Sequence, residues 1–505
     1  MGTEVFWLGL MAILSSFANT RFEIPSLFSD HMVFQQGLPL RFWGRTTAGE
    51  KVEVRFADEV RETTADKEGR WEVTFPPRQA GGPFEVLLRS RGTEVRIQDV
   101  YVGEVWVASG QSNMEWPVSL SQDPEKEIPQ ARYPLIRFFN VPHVVAESPL
   151  ESVSGEWKVC SPETVGNFSA VAYHFAREIH TRTGLPIGII QSDWGGSPAE
   201  AWTSRPALEA HPVLRKILDR WQKALEEYPE AEKRYKEQLK KWQEEAEKAK
   251  AEGKPVPPPP FPPFGPGHFW TPSGLFNGMI APLTRYPIRG VIWYQGESNV
   301  GRAAEYRVLF PALIRSWRDA WGLGDFPFLF VQLANFLKRK DEPSESDWAE
   351  LREAQTFALQ LPNTGMAVAI DIGDADDIHP KNKQDVGKRL ALIARRLVFG
   401  EDVVASGPVF DRMVREGSKV RLFFRSVGSG LECRGDRLKG FAVRGRQGPF
   451  VWAEAVIEGD TVVVWSPQVP EPEVVRYAWA DNPDANLYNK EGLPAVPFRS
   501  DAPRE

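Results

Sequence analysis

The chain has 505 residues, 42% hydrophobic and 26% charged, which is too long for one ordinary core and, at about 100–200 residues per domain, sized for two to four domains. Its formal net charge of -7 argues against a nucleic-acid or anionic-membrane partner, since either selects for a basic face. Two cysteines, Cys160 and Cys433, support neither a disulfide framework nor a thiolate metal cluster and leave at most a single Cys160–Cys433 bridge.

The first 18 residues have the form of a secretory signal. Val5 to Leu14 is largely apolar and Ser16-Phe17-Ala18 offers small residues for cleavage after Ala18, although Glu4 stands where a basic residue is usual. The run is shorter than the roughly 20 residues a membrane span needs. A secreted or periplasmic protein is expected.

Residues 19–100 read as an N-terminal β domain. Leu40–Trp43, Val52–Phe56, Trp71–Phe75 and Phe84–Leu88 alternate in polarity between Gly-, Pro- and Asp-containing turns, as in a small antiparallel sandwich. Its Asp30-His31 pair is expected to be a structural hydrogen-bonding group.

From 101 to 400 the rhythm becomes strand, helix, strand. Val102–Ala108, Ile187–Gln191, Gly290–Tyr294, Phe328–Leu333 and Ala367–Ile370 are continuous apolar or β-branched runs, as parallel strands buried on both faces should be. Helical patterns fall near Ser169–Thr181, Ala303–Trp321, Trp348–Leu359 and Asp385–Phe399. The fold class is therefore α/β, with a doubly wound parallel sheet. An insertion at 206–266 interrupts it: Leu214, Leu218, Trp221 and Leu225, then Tyr235, Leu239, Trp242 and Ala246 beyond Pro229, suggest a helical hairpin. Pro255 to Pro266 follows as an extended connector, and the insertion could serve as a cleft rim or an oligomer contact. Residues 401–505 return to a β pattern, with Val420–Phe424 and Thr461–Trp465 as strands of a C-terminal sandwich.

Each central strand leads into polar residues. In an open α/β sheet these strand ends line one crevice, so segments distant in sequence converge there. A serine hydroxyl needs a base, and the base needs an acid to hold its tautomer. Ser112 follows the first strand as candidate nucleophile. His379 is the best base of the seven histidines, with Asp376 three residues before it and Asp377 as the competing acid. The backbone N–H of Ser112, an N–H of Gly195-Gly196 and the Gln295 amide are candidate oxyanion donors. The acidic run Asp371 to Asp377 lacks the spacing, glycine and terminal Glu of a calcium loop, so no metal and no cofactor are expected.

At Gly110-Gln-Ser-Asn-Met-Glu-Trp116, Asp193-Trp-Gly-Gly-Ser197, Trp293-Tyr-Gln-Gly-Glu-Ser-Asn299 and Asp377-Ile-His-Pro380, the chain resembles the sialate O-acetylesterases, a branch of the SGNH hydrolases. The resemblance reaches the Arg476–Pro483 stretch. It implies an esterase that removes acetyl groups from sugars through an acetyl-enzyme, with Ser112 as nucleophile and His379 as base. Asn113, Glu297 and Trp194 lie in the matching motifs as candidate substrate contacts. Gln111 and Gln295-Gly296-Glu297 depart from the general SGNH pattern, which has Asp before the nucleophile and Asn in the third block; Asp376 fits the Asp-x-x-His spacing. An O-acetylated sugar is the expected partner. Acetylated sialic acid is the expected substrate, with Arg205, Arg302 or Arg307 as candidate partners of its carboxylate, and acetylated plant polysaccharides such as xylan are the alternative. A non-catalytic sugar-binding protein is the reading of another class.

Overall fold

The computed structural model describes residues 22–501, so the signal segment expected at 1–18 lies outside the described residues. The N-terminal region holds strands β1 (Val33–Gln35), β2 (Leu40–Arg45), β3 (Lys51–Phe56), β4 (Glu59–Thr64), β5 (Arg70–Phe75), β6 (Gly81–Ser90) and β7 (Thr93–Gly110). Alternate residues of β3 and β5 are buried, the period expected of strands with one face on a core. Phe34, Phe42, Phe56 and Phe75 meet there.

β7 belongs to two regions at once. Its first half pairs antiparallel with β6, and Tyr101–Gly103 pair in parallel with β1. Its second half is the middle strand of the central sheet, flanked in parallel by β10 (Ile187–Asp193) and β11 (Gly290–Tyr294). With β8 (Tyr133–Asn140), β9 (Trp157–Cys160), β12 (Phe328–Gln332) and β13 (Thr364–Val368), the order is β13-β12-β11-β7-β10-β8-β9. All central pairs are parallel except the β8–β9 edge. Since β10 and β11 lie on opposite sides of β7, the end of β7 is the topological switch point, where such sheets open a crevice.

Helices cover both faces. Trp106 of β7 packs on Phe175 of the helix Ala170–Thr183. Trp293 of β11 packs on Phe310 and Trp317 of the helix Ala303–Trp321. Register pairs Trp106 with Gly290, and Trp293 lies an odd number of residues further along, so the two helices occupy opposite faces.

The insertion is not a helical hairpin. Pro212–Ala251 is one 40-residue helix that runs through Pro229, an exposed position where water can take the place of the lost backbone hydrogen bond. The returning arm is the proline-rich connector. Pro257 O accepts from Trp242 Nε1 at 2.7 Å, Phe264 meets Trp221 and Gly265 abuts the Tyr228 ring. From Trp242 back to Tyr228 the helix covers about 21 Å, close to the roughly 25 Å that the intervening connector spans when extended.

The C-terminal region forms antiparallel sheets. One comprises Val409–Glu416, Lys419–Arg425, Thr461–Trp465 and Glu454–Glu458, the other Val451–Trp452, Phe441–Arg444, Val474–Tyr477 and Phe498–Arg499. It docks through the fully buried Arg352, whose guanidinium donates to Leu333 O, Ala334 O, Ala480 O and Asp481 O at 2.7–2.9 Å. Cys160 and Cys433 are both free thiols, so the bridge left open by the sequence does not form. Among the described residues, no helix is long and apolar enough to cross a membrane.

Candidate active site

β7 ends at Gly110, whose φ of 140° and close approach to Tyr294 O leave no room for a Cβ. Gln111 N donates to the same carbonyl at 3.0 Å. The chain then turns into a single helical turn, Ser112–Glu115. Ser169 fastens this turn from outside: its Oγ donates to Met114 O at 2.5 Å and caps the Ala170–Thr183 helix by accepting from Ala172 N. Ser112 is thus presented from a rigid strand end.

The loop after β13 brings His379 to it. Ser112 Oγ and His379 Nε2 are 2.9 Å apart, at the floor of a cleft of about 660 Å³ that both residues line. Trp116 stacks on the imidazole with centroids 4.6 Å apart. Burial holds the His379 pKa below its ordinary 6.5, Asp377 opposing that shift and Lys383 adding to it, which leaves the imidazole neutral and able to accept a proton.

Asp377, rather than the Asp376 favoured by spacing, stands beside the base. Its Oδ1 accepts from the His379 backbone N–H at 2.9 Å and lies 3.4 Å from Nδ1. Asp376 is exposed, and its N–H donates to Asp374 Oδ1. An aspartate that bonds the N–H two residues on turns its carboxylate toward that residue's side chain. The rest of the acidic run is structural: Asp371 holds Arg389 through two bonds of 2.7 and 2.8 Å and accepts from Tyr488. His31 and Asp30 are likewise structural, bonding Asp99 and the Gln98 backbone.

Three other expected site residues face elsewhere. Gln295 is completely buried; its amide donates to Ser197 O and Asn299 Oδ1 and its carbonyl accepts from Tyr306, so it has no donor to spare for the cleft. Asn113 is buried beneath the nucleophile turn, donating to Glu297 Oε1 at 2.6 Å and accepting from Lys383 Nζ. Neither Asn113 nor Glu297 lines the cleft. Burial raises the Glu297 pKa and pushes that of Lys383 down to about 7. Asn113 also donates to Ile378 O at 3.1 Å, so it joins three of the four motifs, and its partner Lys383, four residues after His379, was not singled out from the sequence.

The cleft is also lined by residues that the sequence did not single out. Glu115, His143 and Asp193 present side-chain atoms all within 4.8 Å of one another, and all three line the cleft. Glu115 Oε2 accepts from Gly195 N at 2.6 Å, which removes that N–H from the free donors and leaves those of Ser112 and Gly196. Burial, then the neighbouring Glu115, raises the Asp193 pKa well above the usual carboxylate range. Trp194 stacks on His143 at 4.3 Å and on Phe269, supporting this group. Trp202 and Trp293 are core residues. Glu115 and Asp193 were legible only as members of quoted motifs, and His143 follows β8, a strand the sequence did not announce.

Known proteins are similar to this chain in sequence and fold. Residues 269–395 match the family described as carbohydrate esterase, sialic acid-specific acetylesterase. The rat sialate O-acetylesterase is 34% identical over 446 residues, covering 80% of this chain and 79% of its own. The human sialate O-acetylesterase is 32% identical, covering 78% of this chain and 75% of its own. The crystal structure of a carbohydrate acetylesterase from Xanthomonas citri superposes with a TM-score of 0.82 at 39% identity, covering 95% of this chain and all of that one. Identity at this level across four fifths of the length is decisive: the chain belongs to the sialate O-acetylesterase family and is a carboxylic ester hydrolase.

Proposed function

We propose that the protein removes O-acetyl groups from sugars through an acetyl-enzyme on Ser112. The observation that carries this reading is the 2.9 Å contact between Ser112 Oγ and His379 Nε2 at the floor of the cleft. Ser112 Oγ attacks the acetyl carbonyl as its proton passes to His379 Nε2. The tetrahedral oxyanion is met by the backbone N–H groups of Ser112 and Gly196, each worth about 3–4 kcal/mol when well placed. Collapse breaks the bond to the sugar oxygen, which takes the proton from His379. Water then attacks the acetyl-Ser112 ester, giving its proton to His379, and acetate leaves as Ser112 Oγ is reprotonated. Asp377 holds the imidazole and stabilises its charged form. The apolar Val5–Leu14 run before Ser16-Phe17-Ala18 supports action outside the cytoplasm.

The test is trapping. With 4-nitrophenyl acetate, rapid mixing should give a burst of 4-nitrophenol, and acid-quenched enzyme should carry one acetyl group on the peptide containing Ser112. Steady turnover with no burst and no label at any quench time, or a label on another residue, would remove the assignment.

A further inference from the structure

The cleft that holds Ser112 and His379 is lined by apolar Trp116, Pro117 and Leu120 and also by Glu115, His143 and Asp193. Asp193 is 3% exposed and its Oδ2 has no hydrogen-bond partner, while Oδ1 has only a 3.4 Å contact from Gln191 Nε2. A buried carboxyl oxygen without a partner is costly unless something fills the place. Among the described residues, the cleft lining contains no Lys or Arg. The three arginines that could have met a sialate carboxylate are engaged elsewhere: Arg205 with Glu209, Arg302 with Glu200 and Arg307 with Glu353.

We infer that Glu115, His143 and Asp193 form a subsite for the hydroxyl groups of an uncharged O-acetylated sugar and disfavour a carboxylate-bearing one. This rests on the esterase reading above and names its substrate class. Sugar hydroxyls both donate and accept, so one can donate to a carboxylate oxygen of Glu115 while another bonds the Asp193 carboxyl group. A sugar carboxylate at the same place meets the Glu115 carboxylate, with no Lys or Arg in the cleft lining and with His143 Nε2 already beside Glu115 Oε1 at 3.5 Å. The imidazole of His143, held by stacking on Trp194, adds a further polar group to the subsite.

The experiment uses the full chain and measures acetate release from O-acetylated N-acetylneuraminic acid, from its C1 methyl ester and from an acetylated xylo-oligosaccharide, with 4-nitrophenyl acetate as a reference. The methyl ester keeps the sugar and removes only the charge. Its kcat/KM should exceed that of the free acid by at least about tenfold, and the xylo-oligosaccharide should follow the ester. Glu115→Gln should narrow the ratio of ester to acid, and Asp193→Asn should lower kcat/KM for the neutral sugars relative to 4-nitrophenyl acetate by about tenfold. Equal or faster cleavage of the free acid by the wild-type enzyme would overturn the subsite while leaving the esterase reading intact. Inertness toward 4-nitrophenyl acetate and all three sugars would instead overturn the esterase reading, and the subsite with it.

Discussion

Among the described residues, β7 is the longest strand and the insertion helix the longest helix, and they are held in opposite ways. Val102 to Gly110 of β7 are buried without a break, and neighbouring strands fix both edges. The 40-residue helix buries only Leu214, Ile217 and Ala246; Arg220 pairs with Glu305 on the body, and most of its surface faces water or the proline-rich connector. Stability follows packing rather than length. The difference teaches that positional accuracy is concentrated where Ser112 is mounted, and that the insertion is free to vary without disturbing it.

Substitutions at the end of β7 and in the loop facing it should break this contrast most sharply. Ser112→Ala should lower turnover of 4-nitrophenyl acetate by about 10⁴- to 10⁶-fold while circular dichroism stays native, because the covalent route is gone; initial rates at matched enzyme concentration decide it. Next comes the acid. Asp377→Asn should cost about 10³- to 10⁴-fold in kcat by releasing the tautomer of His379, whereas the exposed Asp376 should change rates by no more than about twofold as Asn. Equal losses from the two variants would show that neither orients His379 alone.

Gly110→Ala is the corresponding test of stability. With φ at 140° and Tyr294 O against the absent Cβ, the backbone must shift, and a loss of about 1–3 kcal/mol or more in urea unfolding is expected; a native midpoint would mean the strand end is softer than its packing indicates. A smaller effect concerns pH. His379 must be neutral to act as base, and its pKa lies below 6.5, so the acid limb of kcat/KM should fall below pH 6.5. Since Asp377 raises that pKa, residual activity of Asp377→Asn should show the limb at still lower pH. At the insertion, Trp242→Ala removes the bond to Pro257 O and should change global stability by less than about 1 kcal/mol, with kcat/KM unaltered. A large loss there would place the helix in the cooperative core after all.

Legibility in the sequence followed burial. Gly290–Tyr294 and Ala303–Trp321 were readable at their true bounds because strands buried on both faces are apolar throughout and the helix carries a clear apolar stripe. β8 was missed because Pro134 and Arg137 interrupt its pattern, yet Arg137 is buried against Asp99 and the Pro134 and His31 carbonyls. The apolar run placed β13 at Ala367–Ile370, but pairing with β12 starts it at Thr364. Ser112 and His379, singled out because each follows a strand end, are brought to 2.9 Å of each other by the fold. Of the two candidate acids, spacing favoured Asp376, whereas the loop conformation sets Asp377 beside the His379 imidazole. Gln295 was misjudged because a polar residue at a strand end can turn inward when Tyr306 and Asn299 wait for it. The Glu115, His143 and Asp193 group comes from three separate segments, and no local pattern joins them.

The unbroken course of β7 also constrains how this protein could be dissected or recombined. A minimal enzyme begun near residue 101, where the hydropathy rhythm changes, would sever the strand carrying Ser112 from β6 and strip the β1 ladder from its midpoint. It would also leave Tyr286 without Phe34 and the Val33 carbonyl that it bonds at 2.7 Å. Residues 22–100 therefore act as the fixed end of a beam whose free end carries Ser112. Chimaeras between relatives should keep activity only when their crossover points lie outside β1 to β7, so that both halves of that beam are inherited from one parent.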